Sequence, residues 1–148
     1  MTLVLDANVV VGACLPDDAG FDRFGSEPLI APDLMWWEAA STLHEYLWRI
    51  EANRRLPEMG DVTHGEALAA LARLHAAPIT PEPLARDLLD EAWSVASRCG
   101  FARLYDAAYV AVALRHGATL VTVDRPLRDG PAGKLVRIVG PAELAPPA

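Results

Sequence analysis

Two short apolar runs that each stop at an aspartate constrain the fold of this 148-residue chain more than any other feature. Leu3-Val4-Leu5 ends at Asp6, and Thr119-Leu120-Val121-Thr122-Val123 ends at Asp124. Runs this short, apolar at nearly every position, read as strands covered on both faces. Such strands belong to parallel sheets, and parallel strands need long, usually helical, crossovers. The sequence between them is long enough and patterned for this.

Pro28 to Ala31 reads as a second extended segment, after a short, β-branched and therefore ambiguous helix around Val9-Val10-Val11. Pro32-Asp33 marks a helix start, and that helix is predicted to run to about Arg55. Its apolar stripe Trp36, Ala40, Leu43, Leu47 and Ile50 is expected to face the core. Trp37, Ser41, His44 and Trp48 form a neighbouring stripe, read either as more core or as a partner surface, since exposed aromatics mark interfaces. Glu38, Thr42, Glu45 and Arg49 form the polar stripe. Glu66 to His75 is a further helix, with Leu68, Leu71 and Leu74 at helical spacing. Ala77 to Thr80 is a connector or strand. Pro83 to Arg98 is an amphipathic helix stopped by Gly100. Asp106 to His116 is apolar almost all round and so is expected to be buried. Leu135 to Val139 is a last strand. Strands alternating with helices predict an α/β fold, a three-layer α/β/α sandwich with a central parallel sheet, as one domain over residues 1–148. No internal repeat is visible, and the one low-complexity stretch is the Pro-rich end Ala145-Pro146-Pro147-Ala148.

Composition narrows the class. Hydrophobic residues make up 52% and the formal net charge is −7, which disfavours a nucleic-acid binder that works by bulk positive charge. The charge is uneven. Residues 1–97 hold six basic and sixteen acidic side chains, whereas residues 98–137 hold seven basic and three acidic ones. Cys14 and Cys99 fit neither a zinc pattern nor a disulfide framework, which points to a reduced, cytoplasmic compartment. The first residues lack a signal-peptide pattern, and no apolar stretch is long enough to span a bilayer, so no membrane partner is expected. Gly-rich phosphate loops and the G-x-S-x-G element are absent, and no motif supports a role for His44, His64, His75 or His116.

In open parallel sheets, sites form beyond the carboxyl ends of the strands, where Asp6 and Asp124 fall. Two carboxylates brought together repel unless a proton or a cation separates them, and Mg²⁺ or Mn²⁺ suits such oxygen donors. Plainer roles compete. A lone aspartate after a strand caps the next helix, and Asp106 at a helix start fits an N-cap as well. Glu38 shares its stripe with Glu45, where solvated surface is the ordinary fate of a glutamate. Spacing alone does not choose between the two.

Four segments in order resemble a known family. They are Leu3-Val-Leu-Asp6-Ala-Asn8-Val-Val, Ala31-Pro32-Asp-Leu-Met-Trp-Trp-Glu38-Ala-Ala-Ser-Thr-Leu43, Tyr105-Asp106-Ala-Ala-Tyr109-Val-Ala-Val-Ala-Leu114 and Thr119-Leu-Val-Thr122-Val-Asp124-Arg-Pro-Leu127. Together they resemble the PIN domain family and, within it, the VapC toxins of toxin–antitoxin pairs. The resemblance spans nearly the whole chain, although residues 57–80 carry no matching motif. It implies an acidic quartet of Asp6, Glu38, Asp106 and Asp124 that binds Mg²⁺ or Mn²⁺, and it favours Glu38 over Glu45. Asn8 and Thr122 match small polar positions beside that site, with turn and strand-end roles as the plainer reading. The implied activity is single-strand-specific, metal-dependent endoribonuclease action, with a VapB-like antitoxin and a homodimer as partners.

Among the C-terminal cations Arg98, Arg103, Arg115, Arg125, Arg128 and Lys134, Arg125 and Arg128 stand nearest Asp124 and are the leading candidates for phosphate contacts. Surface ion pairing is the alternative for each, and Asp129 is a further acid at the rim. Two other readings compete with the nuclease: a non-catalytic PIN-like module that binds RNA or protein, and a different Mg²⁺-dependent α/β enzyme or a phospho-receiver. The receiver lacks a second acid beside Asp6 and a well-placed lysine after the last strands.

Overall fold

The computed structural model describes residues 1–16 and 19–144, so the Pro-rich end at 145–148 lies outside the described residues. Five strands form one parallel sheet: β1 (Leu3–Leu5), β2 (Leu29–Pro32), β3 (Thr80–Glu82), β4 (Thr119–Val121) and β5 (Ile138–Val139). Their spatial order is β3-β2-β1-β4-β5. Among the described residues six α-helices connect them: α1 (Ala7–Cys14), α2 (Leu34–Glu51), α3 (His64–His75), α4 (Arg86–Cys99), α5 (Tyr105–His116) and the short α6 (Arg125–Asp129). The predicted three-layer α/β/α sandwich is the observed fold.

The strand order explains the layers. From β1 the chain steps to β2 and β3 on one side, then returns across β1 to β4 and β5 on the other. Right-handed crossovers running in opposite directions put their helices on opposite faces of the sheet. Accordingly α1, α2 and α3 pack together, and α4 packs against α5. Helix α5 also lies on β1, β2 and β4. Its residues Ala107 to Ala113 are all buried, as the all-round apolar pattern requires. Val4, Leu5, Leu120 and Val121 in the two central strands have no exposed surface. Each such side chain contributes about 1.5–3 kcal/mol through burial.

Several boundaries and faces differ from the sequence reading. Helix α2 stops at Glu51, short of Arg55, and Asn53 follows in the left-handed region with φ 54°. Its buried stripe is Met35, Ala39 and Leu43, one residue round from the expected one, with Trp36 and Ala40 only partly covered. The reason is that α2 packs against α1, α3 and β2 at once, so two adjacent stripes share the contact. The same holds on α3, where Ala67, Ala70 and Leu74 are buried and Leu68 is exposed. Helix α4 begins at Arg86, because β3 runs on to Glu82 and residues 83–85 form a tight connection in which the Ala85 N–H bonds the Pro83 carbonyl at 2.8 Å. Pro81 inside β3 is tolerated because β3 is an edge strand. Cys14 and Cys99 are both buried free thiols.

Candidate active site

The site sits where the strand order reverses, beyond the carboxyl ends of the adjacent strands β1 and β4. This is the crevice that open α/β sheets use for ligands. The residue that ends β1 is Asp6, nearly buried at 8% exposure. One oxygen, Oδ1, accepts the Ala7 N–H at 2.7 Å, so Asp6 does cap α1. The other, Oδ2, accepts from Thr122 Oγ1 at 2.6 Å. Thr122 is fully buried just past β4, and its Oγ1 also accepts the Asp124 N–H at 3.0 Å. One hydroxyl therefore ties the two strand ends together. Asp124 in turn caps α6, its Oδ1 accepting the Leu127 N–H at 3.0 Å. For Asp6 and Asp124 the capping role and a place at the site are compatible, because each carboxylate keeps further lone pairs.

The other two acids come from helices of opposite layers. Glu38 lies in the second turn of α2 and is half-buried. Its Oε1 accepts the phenolic O–H of Tyr109 at 3.0 Å, so a side chain of α5 holds a side chain of α2. Asp106 lies in the first turn of α5 but makes no capping hydrogen bond; the residue at the cap position is Leu104. The capping role expected from sequence position is thus not the one Asp106 plays, and its carboxylate faces an open cleft of about 560 Å³. Asp6, Glu38, Asp106 and Asp124 all line this cleft, together with Asn8, Leu34, Trp37, Ser41, Thr42 and Tyr105. Glu45 does not line it.

Electrostatics mark the cleft as a place of unrelieved negative charge. Burial raises the pKa of Asp6 above the usual carboxylate range, and Asp106 and Asp124 raise it further against the lowering hydrogen bonds from Thr122 and Ala7. Glu38 is raised by burial and by Asp6 and Asp106, with the Tyr109 hydrogen bond opposing. Asp106 is raised by burial and by Asp124. Burial and the nearby charges of Glu38 and Asp6 keep the Tyr109 phenol protonated, so it remains a donor. Among the described residues, no arginine or lysine pairs with any of the four acids, and no three acidic, histidine or cysteine side chains form a ready-made metal cluster. The carboxylates instead stand around the wall of an open cleft. An all-oxygen donor set of this charge fits a hard divalent cation.

The arginines are placed differently from the acids. Neither Arg125 nor Arg128 lines the cleft. Arg128 pairs with Glu143, the plainer role weighed for it, whereas Arg125 is exposed at the start of α6. Arg115 is held by Glu82, Asp87 and Glu91. Asp129 is exposed and also off the cleft. Sequence reasoning assigned Tyr109 no role. The signal was present, since Tyr109 follows Asp106 by three residues and so shares its helix face. Trp37 and Trp48 are exposed, so the stripe they define is not core.

Fold and site together define the class of protein. A model of the PIN domain family matches residues 3–131, and the chain belongs to that family. Solved structures agree with the fold. PAE2754 from Pyrobaculum aerophilum is 26% identical, with a TM-score of 0.62 over 94% of this chain and 90% of that one. VapBC2 from Rickettsia felis, solved bound to a DNA fragment from its promoter, is 12% identical, with a TM-score of 0.59 over 95% and 98%. VapC20 from Mycobacterium tuberculosis, described as a Sarcin-Ricin loop cleaving toxin, is 20% identical, with a TM-score of 0.51 over 80% and 87%. No curated protein matches the chain as a relative.

Proposed function

We propose that this protein is the toxin of a toxin–antitoxin pair, a Mg²⁺- or Mn²⁺-dependent endoribonuclease that hydrolyses phosphodiester bonds of single-stranded RNA. The observation that carries this reading is the convergence of four carboxylates, from residues 6, 38, 106 and 124, on one cleft at the reversal of the sheet. Family membership and the fold shared with VapC20 and VapBC2 support it.

Asp6, Glu38, Asp106 and Asp124 are the residues that would hold the metal. Bound there, such an ion supplies a water of lowered pKa and offsets charge on the phosphate. The chain's own part is orientation. Thr122 and the Ala7 amide fix both oxygens of Asp6, the Leu127 amide fixes Asp124, and Tyr109 fixes Glu38. This leaves Asp106 as the most exposed of the four at the cleft mouth. Asn8 lines the same cleft and is a further polar contact for substrate or metal-associated water. Arg125, exposed beside Asp124, is available to a phosphate beyond the cleft, and Arg128 becomes available only by releasing Glu143.

The expected partners are a small VapB-like antitoxin protein and a second copy of this chain, and the expected compartment is the cytoplasm. Among the described residues, no helix is long and apolar enough to cross a membrane.

The test is cleavage of a labelled single-stranded RNA with Mn²⁺, with EDTA, and by Asp6→Asn. Asparagine caps a helix about as well as aspartate, so the fold is expected to survive the change. Full metal-dependent cleavage by Asp6→Asn would overturn the assignment. Absence of carboxylate-dependent Mn²⁺ binding in calorimetry would move the reading to a non-catalytic RNA- or protein-binding module.

A further inference from the structure

Two aromatic side chains stand at the acidic cleft without a described hydrogen-bond or ring-contact role there. Trp37 is 80% exposed, the most exposed large hydrophobic residue described, and Tyr105 is 55% exposed. Both line the cleft. Each is the residue immediately before a cleft acid, Trp37 before Glu38 on α2 and Tyr105 before Asp106 on α5. Successive helical residues point about 100° apart, so an acid turned into the cleft places its predecessor on the rim. The two rims belong to helices of opposite layers. The other exposed tryptophans, Trp48 and Trp93, do not line the cleft, and Trp48 has the Arg49 guanidinium 6.0 Å from its ring.

Charge alone does not explain how a polyanion would settle at this place. The cleft is acidic, and Arg115 and Arg128 are engaged elsewhere. Affinity that does not depend on charge is available from stacking, which accepts any base because every base has a π-face. A base can stack on a side chain only when it is unpaired. We propose that Trp37 and Tyr105 form a nucleobase subsite, receiving by stacking the unpaired bases on either side of the phosphate presented to the acids. The inference rests on the nuclease reading for the orientation of the strand, but its test does not depend on cleavage.

A protein segment is the competing occupant. The contiguous apolar surface suited to one is a separate groove of about 250 Å³ between α4 and α5, lined by Leu84, Leu88, Leu89 and Leu104, which meets the cleft only at Leu34 and Tyr105. Trp37 is not part of it. Aromatic faces parted across a polar cleft suit two successive bases better than one apolar strip.

The experiment measures anisotropy of a fluorescein-labelled single-stranded RNA dodecamer of mixed sequence, with Ca²⁺ present, for the full chain and for Trp37→Ala and Tyr105→Ala. Both positions are exposed, so truncation is expected to leave folding intact. Each change is expected to weaken binding by roughly tenfold, the range for loss of one stacked base. Trp37→Phe and Tyr105→Phe should restore most of it, and a blunt RNA duplex should bind weakly to every form. Where the protein cleaves RNA, the alanine variants raise KM with kcat within about threefold. Mn²⁺ affinity by calorimetry should not change. Equal binding of the dodecamer by wild type and both alanine variants would overturn the subsite, as would a loss confined to binding of an antitoxin-derived peptide or failure of the wild type to bind the dodecamer. If wild type binds the dodecamer through these residues but never cleaves it, the nuclease reading fails and the subsite stands.

Discussion

At the β3 edge of the sheet, Glu82, Asp87 and Glu91 surround Arg115, whose Nη and Nε atoms reach them at 2.5–3.1 Å. His116 adds a contact to Glu82 at 2.9 Å. At the ends of β1 and β4, Asp6, Glu38, Asp106 and Asp124 line one cleft, and among the described residues no cation pairs with them. The pKa directions follow. His116 and Arg115 lower Glu82 against the opposing effect of burial, whereas burial and mutual repulsion raise Asp6, Glu38 and Asp106. Where carboxylates gather to hold the fold together, the chain supplies the cation itself. Where they gather at a strand-end crevice without one, the arrangement is costly to the fold, as perturbed groups at functional sites are. Acid count alone does not separate the two clusters; the presence of a partner does.

The largest effect that can break this comparison is on chemistry. Asp124→Asn is expected to lower metal-dependent cleavage about 100-fold or more, equivalent to roughly 2.7 kcal/mol in barrier, while circular dichroism and Tm stay near wild type. Cleavage within threefold of wild type would remove Asp124 from the reacting set. Next in size is Arg115→Met, which leaves three acids at the β3 edge without their shared cation. A loss of about 1–2 kcal/mol, or roughly 3–8 °C in Tm, is expected, below the range for breaking a buried pair because Asp87 and Glu91 are exposed and screened by solvent. Mn²⁺ affinity should not move; a parallel loss would mean that the two clusters are not independent.

Tyr109→Phe removes one hydroxyl and keeps the ring. Glu38 then loses its donor, and a decrease of about tenfold in Mn²⁺ affinity or kcat/KM is expected, in line with one hydrogen bond to a charged acceptor. An unchanged Mn²⁺ titration would reduce Tyr109 to packing. The smallest effect has the opposite sign. A carboxylate whose folded pKa is raised destabilises the fold as pH rises from its ordinary value through the raised one, and that penalty is complete above the raised value. Asp106→Asn should therefore raise Tm in EDTA by about 1–2 °C at pH 7, a small figure because the group is solvent-screened. The gain should shrink as pH falls and vanish below the ordinary carboxylate range, where the acid is protonated in folded and unfolded chains alike. Glu82 behaves the other way: its stabilisation is present above the ordinary carboxylate pKa and is lost as pH falls through its lowered folded value.

Much of the fold, and two of the four acids, were legible from residues alone, for a physical reason. Buried parallel strands are short apolar runs, and Asp6 and Asp124 end two of them, so strand and site share one signal. Glu38 and Asp106 sit on helices, where the local pattern suits a solvated stripe or a cap equally well. It took the family resemblance to bring them in, and the structure to show that Asp106 does not cap α5. The α2 face was misplaced because Met35, Trp36, Ala39 and Ala40 offer two apolar stripes side by side, and in contact with α1 and α3 it is the stripe with Met35 that is buried, while the one with the bulkier Trp36 is only partly covered. The Tyr109–Glu38 bond joins residues 71 positions apart, and no local period encodes it. Arg128 looked free beside Asp124 because its partner, Glu143, lies past the last strand.

The pairing of β1 with β4 has a consequence for when activity can appear. Leu3 lies beside Thr119 and Leu5 beside Val121, so the strand made first waits on one side for a strand made more than a hundred residues later. A growing chain that has not yet delivered β4 leaves β1 as an open edge and lacks both Thr122 and Asp124. Its earlier acids, Asp6, Glu38 and Asp106, are on hand, but the fourth acid and the hydroxyl that ties the two strand ends together are not. The four-acid site is then complete only once β4 pairs beside β1.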